Sequence, residues 1–207
     1  MSTDHIIQTE TQLEAVIGKP FEQIREKIYT TLDEPMKAFV GRSPLMFLST
    51  LDGQGQPDVS PKGDAPGFVH VDDNGDLLIP DRLGNRLIFG FRNILRDNRV
   101  GMIFVVPNLR ETLRVKGRAI ITKDPELLDR LSAKGKPALL CTRVEIEECF
   151  FHCGRAMIRS HLWQPDAWAA GGKSLMLQSI ARRYDADEVQ TDEIETQIED
   201  AYRDKLY

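Results

Sequence analysis

Two arginines, an aspartate and an asparagine crowd into Pro80-Asp81-Arg82-Leu83-Gly84-Asn85-Arg86. A strand-like run precedes this segment and a helix-like run follows it. A Gly-containing loop with Asn85 as helix cap would therefore bring backbone N–H groups and two guanidinium groups to the positive end of a helix. That chemistry suits a phosphate, although an ordinary capped loop with solvent-facing arginines has the same pattern. Upstream, Asp58-Val59-Ser60-Pro61-Lys62-Gly63-Asp64-Ala65-Pro66-Gly67 sets prolines and glycines around one lysine. Proline keeps the chain extended and removes ladder donors, so this stretch can turn backbone groups toward a flat ligand while Lys62 offsets an anion. A wide loop with a solvated lysine is the plainer alternative.

Two further clusters carry reactive side chains. Glu111-Thr112-Leu113-Arg114-Val115-Lys116-Gly117-Arg118 alternates charged and apolar residues, which gives a strand with one polar face. In Glu148-Cys149-Phe150-Phe151-His152-Cys153-Gly154-Arg155, continuing to Arg159-Ser160-His161-Leu162-Trp163, two thiols and an imidazole lie close together. A structural zinc site needs a fourth ligand and usually paired spacing, so no metal is expected, and buried thiols beside a strand end fit better. A Cys/His nucleophilic pair would lack an orienting third group. Gly172-Lys173-Ser174 resembles the tail of a phosphate-binding loop, but Ala167 stands where the first glycine belongs and no apolar strand precedes it. Gly53-Gln54-Gly55 lacks the third glycine of a dinucleotide fingerprint and sits in a hairpin turn.

The elements that must position these residues are mostly strands. Phe21, Ile24, Ile28 and Leu32 recur at helical spacing after Pro20, predicting an N-terminal helix over about 20–34 that ends before Pro35. Leu45–Leu51 and Pro57–Ser60 flank the turn residues Asp52-Gly53-Gln54-Gly55. Phe68–Val71 and Asp76–Pro80 flank Asp72-Asp73-Asn74-Gly75, where Asn-Gly supplies the positive φ angles of a tight hairpin. Leu87, Phe91, Ile94 and Leu95 predict a helix over Asn85–Asn98, and strands follow over Val100–Val106 and Thr112–Ile121. A short helix begins at Asp124-Pro125-Glu126, and Leu139–Phe151 is the last strand. Beyond Gly154 a helical extension is expected over about 154–207, broken near Ala169-Ala170-Gly171-Gly172, with Ile194, Ile198, Ala201 and Tyr202 on one side of its final helix.

Strands joined mainly by hairpins do not give the βαβ alternation of a doubly wound sheet and point to one small closed or partly open antiparallel barrel domain with flanking helices. The chain has 207 residues, 41% hydrophobic and 29% charged, enough for a core without disulfides or structural metal. Its net charge of −5 and the lack of a Lys/Arg block argue against nucleic-acid binding. Apolar runs are strand-length, so no membrane span is expected. The polar start, without a signal-peptide pattern, and three unpaired cysteines suggest a reduced, cytoplasmic setting.

Taken in order, Val59-Ser60-Pro61-Lys62-Gly63-Asp64, Pro80-Asp81-Arg82 with Gly84-Asn85-Arg86, Val100-Gly101 with Phe104 and Pro107, and Glu111-Thr112-Leu113-Arg114-Val115 with Gly117-Arg118-Ala119 resemble the pyridoxamine 5′-phosphate oxidase-like flavoproteins. Phe150-Phe151-His152-Cys153 with Arg155-Ala156, Arg159-Ser160 and Leu162-Trp163 is similar to a predicted flavin-nucleotide-binding subgroup of that superfamily. The likeness covers roughly Phe39 to Trp163.

The resemblance implies a six-stranded antiparallel split β-barrel that binds FMN in clefts between the subunits of a homodimer. By position it assigns Ser60, Pro61 and Lys62 to the isoalloxazine edge and Arg82, Asn85 and Arg86 to the phosphate, with Asp81 in the same cofactor-contacting stretch. Relatives often carry an extra residue in the Gly-Asn-Arg loop, so either Asn85 or Arg86 is the direct phosphate contact. Arg114 and the Arg159, Ser160 and Trp163 segment would reach the flavin or a small-molecule substrate, including from the partner chain. The C-terminal Arg and His segment with which the vitamin oxidases grip pyridoxal phosphate is absent, which points away from pyridoxamine phosphate as substrate. An FMN-dependent oxidoreductase is the first expectation, since the flavin itself performs the redox chemistry. A non-catalytic flavin storage or sensing module is a second. A haem-binding barrel is a third, with His70, His152 or His161 as axial ligand.

Overall fold

The structure is a computed structural model that describes residues 5–19, 21, 26–84, 86–170, 174–185, 187–204 and 206. Seven strands form one antiparallel sheet: β1 (Leu45–Leu51), β2 (Pro57–Gly63), β3 (His70–Val71), β4 (Leu77–Asp81), β5 (Arg99–Val105), β6 (Thr112–Thr122) and β7 (Leu140–His152). Their order is β2-β1-β5-β6-β7-β4-β3, and the sheet is open, with β2 and β3 at its edges. The mainly β fold with flanking helices agrees with the sequence reading. The six strands implied by the family resemblance are seven here, β3 forming within the hairpin expected from Phe68–Val71.

Alternation along the strands builds the core. Leu48, Met102, Val115 and Cys149 are successive ladder partners across β1, β5, β6 and β7, and all four are buried. One residue away, the register aligns Pro61, Phe47, Ile103, Arg114 and Phe150 on the opposite face, which is more open. A one-residue slip would exchange these two rows, so burial of the first row specifies the register. Gly117 sits at the β6 bulge opposite β7, where an added Cβ would lie 2.0 Å from the Glu145 carbonyl oxygen. Only glycine fits there, and the bulge bends the longest strand pair.

The helices are α1 (Glu10–Ile17), α2 (Glu34–Arg42), α3 (Phe89–Ile94), α4 (Pro125–Arg130), α5 (Arg155–Arg159), α6 (Leu175–Tyr184) and α7 (Glu188–Asp204). Met36, Phe39 and Val40 of α2 pack into the core. The helix expected over 20–34 is not what the described residues form. Pro20 and residues 22–25, Ile24 among them, lie outside the description, while Tyr29 is bridged to Cys149 as extended chain. Asp33 caps α2 by accepting the Met36 N–H at 2.8 Å, and Pro35 falls in its first turn rather than ending an earlier helix. The C-terminal extension is helical in α5, α6 and α7, and Gly171, Gly172 and Lys173 of its expected break lie outside the described residues.

Both hairpin turns use one device. Asp52 and Asp72 each accept backbone N–H bonds from residues two and four positions ahead, and Gly55 (φ 77°) and Gly75 (φ 88°) take the left-handed position. Asn74 keeps a negative φ, so the expected two-residue Asn-Gly turn is a longer turn closed by one glycine. No described helix is long and apolar enough to cross a membrane.

Candidate functional site

A cleft of about 590 Å³ opens between β2, the end of β4 and the segment leading into α3. Ser60 and Lys62 reach it from β2, where alternation puts Asp58, Ser60 and Lys62 on the half-buried face. Pro61 also lines it. The strand was expected to stop at Ser60, yet it continues to Gly63 with Pro61 opposite Phe47, because β2 is an edge strand and needs no inner donor there. Lys62 is held on two sides: its Nζ donates to Asp81 Oδ1 at 3.3 Å and lies 5.3 Å from the Phe91 ring centroid. Phe91 had read as a core position on a helical face, and its contact with Lys62 spans 29 residues of sequence.

The segment after β4 differs from the expected capped helix. Asn85 lies outside the described residues, and α3 starts only at Phe89 with Ile88 at its N-cap, without a side-chain cap. Arg86 (φ 58°) and Ile88 (φ 49°) both adopt left-handed backbone, costly above all for a β-branched residue, so the segment folds back along the cleft wall before the helix begins. Asn93 ties the short helix down by donating from Nδ2 to Thr50 Oγ1 at 2.9 Å, with both side chains buried. Arg86 is exposed, lines the cleft and makes no ion pair among the described residues. Around it Leu83, Ile88, Phe89 and Leu139 expose apolar side chains to the same space.

Arg82 also borders the cleft, but its guanidinium is already engaged, with Asp64 of the same lining and with the Leu131 carbonyl. The remaining candidates are not brought to this cleft within one chain. Arg114 lies on the open sheet face beside Phe47, Val59 and Ile103, its guanidinium 5.5 Å from the Phe150 ring centroid. Arg159 and Ser160 are exposed at the end of α5, and Ser160 Oγ donates to the Met157 carbonyl. Trp163 lines a separate depression of about 310 Å³ with Arg110 and His161, and its Nε1 donates to the Leu109 carbonyl at 2.7 Å.

The thiols and histidines fall outside the cleft. Burial pushes the Cys141 and Cys149 thiols up to about 11, and Cys149 Sγ donates to the Thr31 carbonyl, whereas Cys153 is exposed. His70 and His152 are shifted below the usual imidazole range, first by burial and then by nearby arginines: Arg130 and Arg82 for His70, Arg114 for His152. His161 is exposed, with Nδ1 2.8 Å from Gln164 Oε1. No histidine is among the residues that line the cleft.

No curated protein matches the chain. Among solved structures it is similar to HupZ from Group A Streptococcus at 17% identity, with 58% of this chain and 94% of that chain covered and a TM-score of 0.48. It is similar to a Clostridium acetobutylicum protein related to general stress protein 26 of the pyridoxinephosphate oxidase family, at 15% identity, 59% and 91% coverage and a TM-score of 0.43. Similarity to HutZ, the heme storage protein of Vibrio cholerae, is 15% in identity over 58% of this chain and 94% of that one, with a TM-score of 0.41. Likenesses this distant carry no inference about activity. The family described as pyridoxamine 5′-phosphate oxidase, by contrast, matches residues 32–153, more than half of the sequence and every strand of the sheet, and the chain belongs to that family.

Proposed function

We propose that the cleft binds FMN and that the protein is an FMN-dependent oxidoreductase acting on a small molecule as a homodimer. The observation that carries this reading is convergence. Ser60 and Lys62 from one edge strand, and Asp81 and Arg86 from the far end of the sheet, line a single cleft whose size falls in the range of about 300–1,000 Å³ usual for ligand sites. Arg86, exposed and without an ion-pair partner among the described residues, is the group for the phosphate. Lys62, steadied by Asp81 and Phe91, offers a donor to the polar edge of the ring system, and Leu83, Ile88, Phe89 and Leu139 provide apolar cover for its flat body. A bound flavin supplies hydride and electron transfer itself, so these residues need only bind, orient and exclude water.

The open sheet face supports the dimer. Phe47, Val59 and Ile103 are 40%, 59% and 40% exposed around a depression of about 410 Å³, an apolar patch that a second copy would cover. Arg114, Arg159, Ser160 and Trp163, which stay away from the cleft of their own chain, are proposed to serve the cleft of the partner.

The test is FMN titration followed by gel filtration. Stoichiometric flavin absorption in a dimer-sized peak is expected. Arg86→Ala should weaken FMN binding by about 1.5–3 kcal/mol, the usual worth of a charge-assisted hydrogen bond. Colourless wild-type protein after excess FMN is removed would sink the reading. Reduction of the bound flavin by NAD(P)H, followed by reoxidation by an acceptor, separates an oxidoreductase from a storage or sensing module.

A further inference from the structure

Arg82 and Arg86 stand four residues apart beside one cleft, yet their surroundings differ in kind. The Arg82 side chain is 16% exposed and that of Asp64 is 6% exposed. Arg82 Nε donates to Asp64 Oδ2 at 3.0 Å, and its Nη1 donates to the Leu131 carbonyl at 2.7 Å. Asp64 directly follows β2, Arg82 directly follows β4, and Leu131 caps α4, buried in a small second core with Leu78, Ala138 and Cys141. One guanidinium thus joins three segments separated by 18 and 49 residues.

We infer that Arg82 is a positioning residue, a clasp that holds the β2 end carrying Ser60 and Lys62 at a fixed distance from the segment carrying Arg86. A planar guanidinium can donate in both directions at once; a lysine ammonium on a flexible stem cannot hold both partners in that fork. Removing Arg82 takes a counter-charge away from a carboxylate that is 6% exposed, so the loss should be relieved when Asp64 is removed too. The inference about ligand binding rests on the proposed FMN site, whereas the clasp itself can be read in FMN-free protein.

The experiment compares Arg82→Ala, Arg82→Lys, Asp64→Ala, the double variant Asp64→Ala/Arg82→Ala and Arg86→Ala, with Val144→Ala, a buried position outside the cleft lining, as a core-destabilised control. FMN-free thermal melts come first. Arg82→Ala should melt well below wild type, Arg82→Lys should fail to restore it, the double variant should melt no lower than Arg82→Ala, and Arg86→Ala should match wild type. FMN titration and the visible circular dichroism of bound flavin come second. Arg82→Ala should lose tenfold or more in affinity and alter the flavin band, while Val144→Ala, though less stable, keeps both. Additive melting losses in the double variant would overturn the clasp, and an Arg82→Ala protein that melts like wild type but binds FMN weakly would overturn it and make Arg82 a direct ligand. An unchanged flavin band and affinity in Arg82→Ala would reduce the residue to a merely structural role. If wild-type protein takes up no FMN, the cofactor reading fails alone, and the melting cycle still decides whether Arg82 is committed to Asp64.

Discussion

Between Leu45 and His152 most side chains are aimed by strands paired in one sheet, from the edge strand β2 to the edge strand β3, whereas beyond Gly154 they are aimed by short local bonds. Ser160 Oγ donates to Met157 three residues back, His161 contacts Gln164 three residues ahead, and Trp168 Nε1 donates to the Leu162 carbonyl. Trp163, bonded to Leu109, is where this second region grips the sheet. The difference explains why Ser60, Lys62 and Asp81 meet, with Arg86 in the segment that follows β4, while Arg159, Ser160 and Trp163 do not join them. A ladder can bring residues from distant strands to one place; a chain of local turns carries its residues only as far as its few long-range contacts, such as Trp163 with Leu109, direct it.

The strongest way to break this comparison is at the bulge. Gly117→Val should destabilise the protein by about 3 kcal/mol, because a side chain there meets the Glu145 carbonyl in the most extensively paired part of the sheet. Denaturant unfolding checks it, and a loss near zero would mean that the bulge is soft. Truncation after Ala170 should move the thermal midpoint by only about 2–4 °C, the shift expected for about 1 kcal/mol in a chain of this size. Leu177 is the buried residue of α6, and α6 packs with α7. A collapse on truncation would show that the two regions share one core. Trp163→Phe removes a hydrogen bond worth about 1 kcal/mol and should loosen residues 155–164 to proteolysis while leaving the sheet intact.

Thiol titration sharpens the same contrast. At pH 8 Cys153 should react quickly with a thiol reagent, whereas Cys141 and Cys149, buried and raised to about 11, should react only on unfolding. Three fast thiols would contradict the burial of the β7 pair. The smallest effect concerns pH. His70 and His152 bind protons less readily folded than unfolded, so between their lowered values and 6.5 the unfolded state holds more protons, and stability falls as pH drops through that window. Melting midpoints at pH 7.5 and 5.5 should show the fall, and His70→Asn or His152→Asn should make it shallower. An identical slope in both variants would assign acid sensitivity to other groups.

Much of this architecture was legible in the residues alone. Period-two alternation located the strands of the sheet to within a few residues, and turn chemistry placed both hairpins, because each depends on neighbours close in sequence. The succession of Lys62, Arg86 and Arg114 segments carried the family likeness. Misreadings arose where local signals met distant partners. Ile28 and Leu32 kept helical spacing, but Tyr29 was drawn into a bridge with Cys149, and a strand partner outweighs a weak helical preference. Arg82 and Arg86 read as one phosphate grip because both follow the same strand. Only the tertiary structure separated them, since the Asp64 carboxylate and the Leu131 carbonyl become neighbours of Arg82 once β2, β4 and α4 converge. The sequence determined which groups were available and the strands that carry them; the folded sheet decided which of those cleft-bordering arginines is engaged by Asp64 and Leu131 and which carries no ion pair among the described residues.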